Sequence, residues 1–96
     1  MDGVKILVIE DDADIREGVR ILLESEGFLV DEAENGEIGL RKLSEDISLV
    51  ILDIMMPGMP GIRVCEEIRK KSFVPILFLT AKAQESDKLL GLMAGG

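Results

Sequence analysis

Val4-Lys-Ile-Leu-Val-Ile-Glu-Asp-Asp12 decides the fold. Six residues, all apolar but Lys5, run straight into three acids. A short, β-branched, nearly continuous apolar run reads as a central strand of a parallel sheet, buried on both faces. A second such run, Ser48–Leu52, ends at Asp53. If the two strands lie side by side, Glu10, Asp11, Asp12 and Asp53 converge at one sheet edge. Like charges at that range repel and resist ionising together. Such a cluster implies a cation or an incoming group that occupies it, so the edge reads as a functional site built from hard oxygen ligands.

Outward from these two runs, strand and helix alternate. Asp12 is placed to cap a helix whose apolar face carries Ile15, Val19, Leu22 and Leu23, with Arg16, Glu17, Arg20 and Glu24 on the wet side. Gly27 stops it. Phe28–Ala33 is a weaker strand whose polar residues suit a sheet edge. Asn35-Gly36 opens a second helix bearing Ile38, Leu40 and Leu43. Prolines and glycines make 54–60 a loop. A third helix, from about Gly61 to Lys71, is expected to bury Ile62, Cys65 and Ile68. Pro75–Leu79 is the fourth strand, with Thr80 and Ala81 at its end, and a last helix is expected over Glu85–Met93 with Leu89, Leu90 and Met93 on one face. The pattern is a βαβ series with right-handed crossovers and helices on both faces.

Composition narrows the function. The 96 residues suit one domain, and 47% apolar content suffices for a core. A formal charge of -8 opposes direct nucleic-acid binding, because no basic surface offsets backbone phosphates. Cys65 is the only cysteine, which excludes an intrachain disulfide and fits a reducing compartment; it reads as a small apolar residue. The absence of histidine excludes histidine metal sites, Ser-His-Asp or Cys-His catalysis, and histidine phosphorylation on this chain. No apolar stretch nears ~20 residues, and no basic then apolar leader opens the sequence, so membrane insertion and secretion are not expected.

Sites in open α/β sheets form beyond the carboxyl ends of the strands. Glu10-Asp11-Asp12, Asp53 and Thr80 are placed there. Two or three carboxylates plus a loop carbonyl suit Mg²⁺, which keeps several waters. Thr80 adds a hydroxyl able to hold an anionic oxygen. Metal, nucleophilic carboxylate and hydroxyl donor together describe phosphoryl transfer to Asp53. A phosphatase or another Mg²⁺ enzyme uses similar parts.

These residues also carry a family resemblance. Lys5-Ile-Leu-Val-Ile-Glu-Asp-Asp12, Leu49-Val-Ile-Leu-Asp-Ile-Met-Met-Pro-Gly-Met-Pro-Gly61, Pro75-Ile-Leu-Phe-Leu-Thr-Ala81 and Gly91-Leu-Met-Ala-Gly95 are similar to the receiver domain of two-component response regulators. The spacing Asp53-x-x-x-Pro57-x-x-x-Gly61 is specific in combination with the others. The resemblance implies a flavodoxin-like (CheY-like) doubly wound parallel α/β sheet of strand order 2-1-3-4. It makes Asp53 the residue phosphorylated by a sensor histidine kinase. Glu10 and Asp11 bind Mg²⁺ with Asp53, and the backbone carbonyl of Met55 adds a ligand. Asp12 neighbours the pair. Thr80 matches the switch hydroxyl, Ala81 contributes backbone at the phosphate, and Met55 and Lys82 modulate dephosphorylation. Such a domain is a cytoplasmic signalling module that phosphorylates and slowly dephosphorylates itself, not a metabolic enzyme.

The sequence departs from the family at Gly95-Gly96, where it stops and where Gly96 stands in place of the usual Ala. The family pattern continues into a fifth strand, a lysine that contacts the phosphoryl group, and a final helix. Residues 1–96 therefore read as a C-terminally incomplete receiver domain, with the usual fifth strand and last helix missing and no lysine for that role. An alternative function follows: a non-signalling fragment that associates with itself or a partner through an exposed edge of the fourth strand.

Overall fold

The computed structural model describes residues 3–79 and the two-residue segment 92–93. Its elements are β1 (Lys5–Ile9), α1 (Ala13–Ser25), β2 (Leu29–Ala33), α2 (Gly36–Lys42), β3 (Ile47–Asp53), α3 (Gly61–Arg69), β4 (Ile76–Leu79) and β5 (Leu92–Met93). They form one sheet of order β2-β1-β3-β4-β5. The first four strands are parallel, as expected, and β1 and β3 are neighbours at its centre.

Alternation along each strand divides the core into two layers. Leu7 and Ile9 of β1, Val50 and Leu52 of β3, and Ile76 and Phe78 of β4 point to one face, where Val64 and Ile68 of α3 and Ile38 and Leu40 of α2 cover them. Ile6, Val8 and Ile51 point to the other, against Val19 and Leu23 of α1. Burying an aliphatic side chain of this size contributes about 1.5–3 kcal/mol. Four consecutive buried residues in β1, Ile6 through Ile9, therefore anchor the strand whose end carries the acids.

Local chemistry sets the helix ends. Asp12 accepts from the N–H groups of Asp14 and Ile15 at 2.9 and 3.1 Å and caps α1. Asn35 accepts from Ile38 N–H at 2.8 Å and caps α2, so Asn35-Gly36 is a helix entry as read. Gly36 and Gly39 let α2 approach closely: a methyl on Gly36 would overlap Val64, and one on Gly39 would overlap Ile9.

Several expectations are corrected. Ile62 is exposed rather than buried, because α3 turns Gly61, Val64 and Ile68 inward, and Ile62 lies about 100° around the helix from Gly61. Leu22 is likewise exposed; the inward line of α1 is Val19 and Leu23, four residues apart, and no residue of this helix is fully buried. Cys65 is half-buried against the core. The proposed last helix does not reach Met93, since Leu92 and Met93 are extended and pair antiparallel with Phe78 and Leu77. The β4 edge is therefore not open there. A free edge offers unpaired N–H and C=O groups, and this pairing satisfies them. The sheet thus has a fifth strand, but an antiparallel one. The rest of that expected helix, including Leu89 and Leu90, lies outside the described residues. Among the described residues, no helix is long and apolar enough to cross a membrane.

Candidate functional site

The parallel pairing of β1 and β3 aligns Ile9 with Leu52, so the residues that follow, Glu10 and Asp53, come side by side at the carboxyl edge of the sheet. One carboxylate oxygen from each of Glu10, Asp11 and Asp53 lies within 4.8 Å of the others. Glu10 and Asp53 are fully buried, whereas Asp11 is exposed. The fourth acid does not join them. Asp12 turns its carboxylate to the first turn of α1, where two N–H groups hold it. The expected convergence of four carboxylates is thus one of three.

Each buried acid is held by the backbone around it. Glu10 donates its N–H to the Ala33 carbonyl at 3.0 Å, and its Oε2 accepts the N–H of Asp12 at 3.0 Å. Asp53 closes β3 opposite Leu79, and its Oδ1 accepts the N–H of Met55 at 3.2 Å. The loop after Asp53 turns at Gly58, whose positive φ of 79° suits glycine. It returns so that Gly61 N–H donates to the Ile54 carbonyl at 3.1 Å. Met56 buries itself beneath this loop, and Met55 stays exposed at the site's rim.

The electrostatics are unfavourable without a counter-charge. Burial, opposed by the Asp12 N–H and aided by the negative charge of Asp53, pushes the Glu10 carboxyl up to about 8. Glu10 Oε1 is buried and has no hydrogen-bond partner. An orphaned buried oxygen costs about 1–3 kcal/mol or more. A divalent cation answers both problems. Octahedral Mg²⁺ spaces its ligand oxygens about 3–4 Å apart, so the three carboxylates need little inward movement to fit one. An all-oxygen donor set also favours Mg²⁺ over softer metals.

Thr80, Ala81 and Lys82 lie outside the described residues. Two residues that the sequence reading left unassigned belong to the site's surroundings. Arg16, read as solvent-facing, reaches back with its Nη1 to the Glu10 carbonyl at 2.7 Å. Glu32, on the edge strand β2, accepts from Arg16 Nε at 3.1 Å. Helical periodicity alone puts Arg16 on the wet side of α1, and nothing in the sequence specifies its pairing with Glu32, 16 residues on.

A doubly wound α/β sheet, its first four strands parallel, with a carboxylate cluster at the carboxyl edge of its central strands, places the site where open α/β sheets form theirs. Comparison with known proteins agrees. The family model described as the response regulator receiver domain matches residues 6–96. The chain belongs to the response regulator receiver domain family. It is 48% identical over 92 residues to the transcriptional regulatory protein ResD of Bacillus subtilis, covering 95% of this chain and 38% of that protein. It is 47% identical over 91 residues to the transcriptional regulatory protein CpxR homolog of Haemophilus influenzae, covering 95% of this chain and 40% of that protein. The chain thus spans about two fifths of the length of these relatives. Among solved structures, the response regulator TrrA of Thermotoga maritima, in complex with Mg²⁺-BeF, superimposes with a TM-score of 0.77 at 45% identity, over 88% of this chain and 76% of that one. The chemotaxis protein CheY4 of Vibrio cholerae gives 0.78 at 30% identity, over 88% and 73%.

Proposed function

We propose that this receiver domain accepts a phosphoryl group on Asp53 from a sensor histidine kinase, with Mg²⁺ held by Glu10, Asp11 and Asp53. The observation that carries this reading is the meeting of those three carboxylates, two of them buried, at the end of the two central strands. A buried acid cluster is costly, and occupation by a cation during phosphoryl transfer gives it a purpose. Mg²⁺ would neutralise oxygens of the transferring group and of Asp53.

In the transfer, an Asp53 carboxylate oxygen forms a bond to phosphorus while the phosphorus–nitrogen bond to the kinase imidazole breaks. The imidazole nitrogen takes the electron pair. The hydrogen bond from Met55 N–H to Oδ1 restrains rotation of the Asp53 carboxylate. By family resemblance the Met55 carbonyl completes the metal ligands, Thr80 and Ala81 receive the phosphoryl oxygens, and Met55 and Lys82 set the lifetime of the acyl phosphate. The TrrA complex with Mg²⁺-BeF supports both the metal and the anion in this assignment. The transcriptional regulators among the relatives suggest a transcriptional output for a longer protein carrying this domain, in the cytoplasm.

The test is incubation with Mg²⁺ and a small phosphodonor such as acetyl phosphate, followed by intact mass. One added phosphoryl group is expected, absent in Asp53→Asn and absent without Mg²⁺. Equal labelling of Asp53→Asn would overturn the assignment.

A further inference from the structure

Glu10 of the acidic cluster is held at three points. Its N–H donates to Ala33, its side-chain Oε2 accepts from Asp12, and its carbonyl accepts from the Arg16 guanidinium at 2.7 Å. The first two contacts are local to the strand end. The third comes from the end of the first turn of α1 and is charge-assisted.

The guanidinium is itself fixed. Arg16 Nε bonds Glu32 Oε1 at 3.1 Å, and the other oxygen of that carboxylate, Oε2, is taken by Arg20 Nε at 2.8 Å. Glu32 is therefore bracketed by two arginines one helical turn apart. The Arg16 side chain is only 17% exposed, so solvent screening of its contacts is reduced. Arg16 is also tied by its own N–H to the Asp12 carbonyl at 2.9 Å, within the turn that Asp12 caps. One chain of contacts thus links β2, α1 and the end of β1, and it terminates on the backbone of a cluster acid. The oxygen left over is Glu10 Oε1, buried and without a hydrogen-bond partner.

We propose that Arg16, held by Glu32, is a positioning residue for the acidic cluster: by fixing the Glu10 carbonyl it presents Glu10 Oε1 to a divalent cation. This inference rests on the Mg²⁺ reading above. Arg16 touches no ion and no transferring group. Its effect is to make the Glu10 geometry rigid before the ion arrives, as outer contacts do for metal ligands generally.

The experiment is Mg²⁺ titration of the full 96-residue chain by calorimetry, with Arg16→Gln, Arg16→Lys and Glu32→Gln. Arg16→Gln is expected to weaken Mg²⁺ about tenfold. Arg16→Lys should recover part of that loss, since an ammonium can still reach the carbonyl but cannot bridge to Glu32 with a planar fork. Glu32→Gln should weaken Mg²⁺ by roughly threefold, because the guanidinium keeps its carbonyl contact but loses a charged anchor. Amide exchange of metal-free Arg16→Gln gives a second readout. The Asp12 N–H, which donates to Glu10 Oε2, should exchange faster relative to the amides of β1.

A folded Arg16→Gln chain with Mg²⁺ affinity within twofold of the unaltered chain overturns the inference and leaves the Mg²⁺ reading standing, even if its stability falls. If Arg16→Gln does not fold, Glu32→Gln decides: unchanged affinity overturns the inference, and the threefold loss supports it. Failure of the unaltered chain to bind Mg²⁺ overturns both.

Discussion

Gly61 stands with its Cα against the backbone of Asp53, so close that a methyl group there would overlap the Asp53 carbonyl oxygen and lie 2.7 Å from Ile54 Cα. The obstructing atoms are main chain, which cannot swing aside like the tip of a side chain. Gly61 begins α3, and its N–H closes the loop back onto Ile54. Gly61→Ala is therefore expected to destabilise the chain by about 1–3 kcal/mol. Gly18 is the control. It lies inside α1 with open space where its Cβ would be, so Gly18→Ala should stabilise by about 0.5–1 kcal/mol. Urea midpoints followed by far-ultraviolet circular dichroism separate the two signs.

Asp11 and Asp12 are adjacent acids with different tasks. Asp12→Ala removes the cap of α1 and should cost about 1 kcal/mol of stability, with only a modest change in Mg²⁺ affinity. Asp11→Asn should do the reverse, weakening Mg²⁺ strongly while barely changing the metal-free midpoint, because the Asp11 side chain is exposed. Calorimetry and denaturation on the same two variants check this. Greater loss of Mg²⁺ binding in the Asp12 variant would reverse the roles.

Replacing Asp53 by Asn removes one charge from a cluster that raises the Glu10 carboxyl. In the absence of divalent ions the variant should be more stable, by about 1 kcal/mol if the neighbour shifts by one pK unit. With saturating Mg²⁺ the difference should shrink or invert, since the unaltered chain then gains the binding energy of the ion. Thermal unfolding in EDTA and in Mg²⁺ measures both arms.

Glu10 makes the fold pH-dependent. Its carboxyl is near 4.5 when unfolded and about 8 when folded. Between those values the native chain holds a proton that the unfolded chain has released. Stability should therefore be highest from this group below about pH 4.5, fall as pH rises, and level off above about pH 8. Each pK unit is worth about 1.4 kcal/mol, which outweighs an exposed ion pair of about 0.5 kcal/mol. Mg²⁺ binds the ionised form, so its apparent affinity should rise across the same window. Denaturation between pH 5 and 9 in EDTA should show the decline. A flat profile would mean that Glu10 is ionised throughout.

The sequence alone determined the order of elements through β4, the central place of β1 and β3, and the identity of the acids at their ends. Those features follow from patterns that act over a few residues: apolar runs of strand length, capping acids, and the glycines and prolines of 54–60. Packing around each helix was less legible, because Ile62 and Leu22 lie only one step from inward positions and periodicity alone does not fix the rotation. Pairing of Leu92–Met93 with β4 was not legible, since two residues carry no period. The capping role of Asp12 was legible too, whereas tertiary structure alone decided that Gly61 rests on Asp53 and that Arg16 reaches the Glu10 carbonyl while Glu32 holds it from β2. These contacts join different elements of the fold, and their distances exist only once the sheet has brought those elements together.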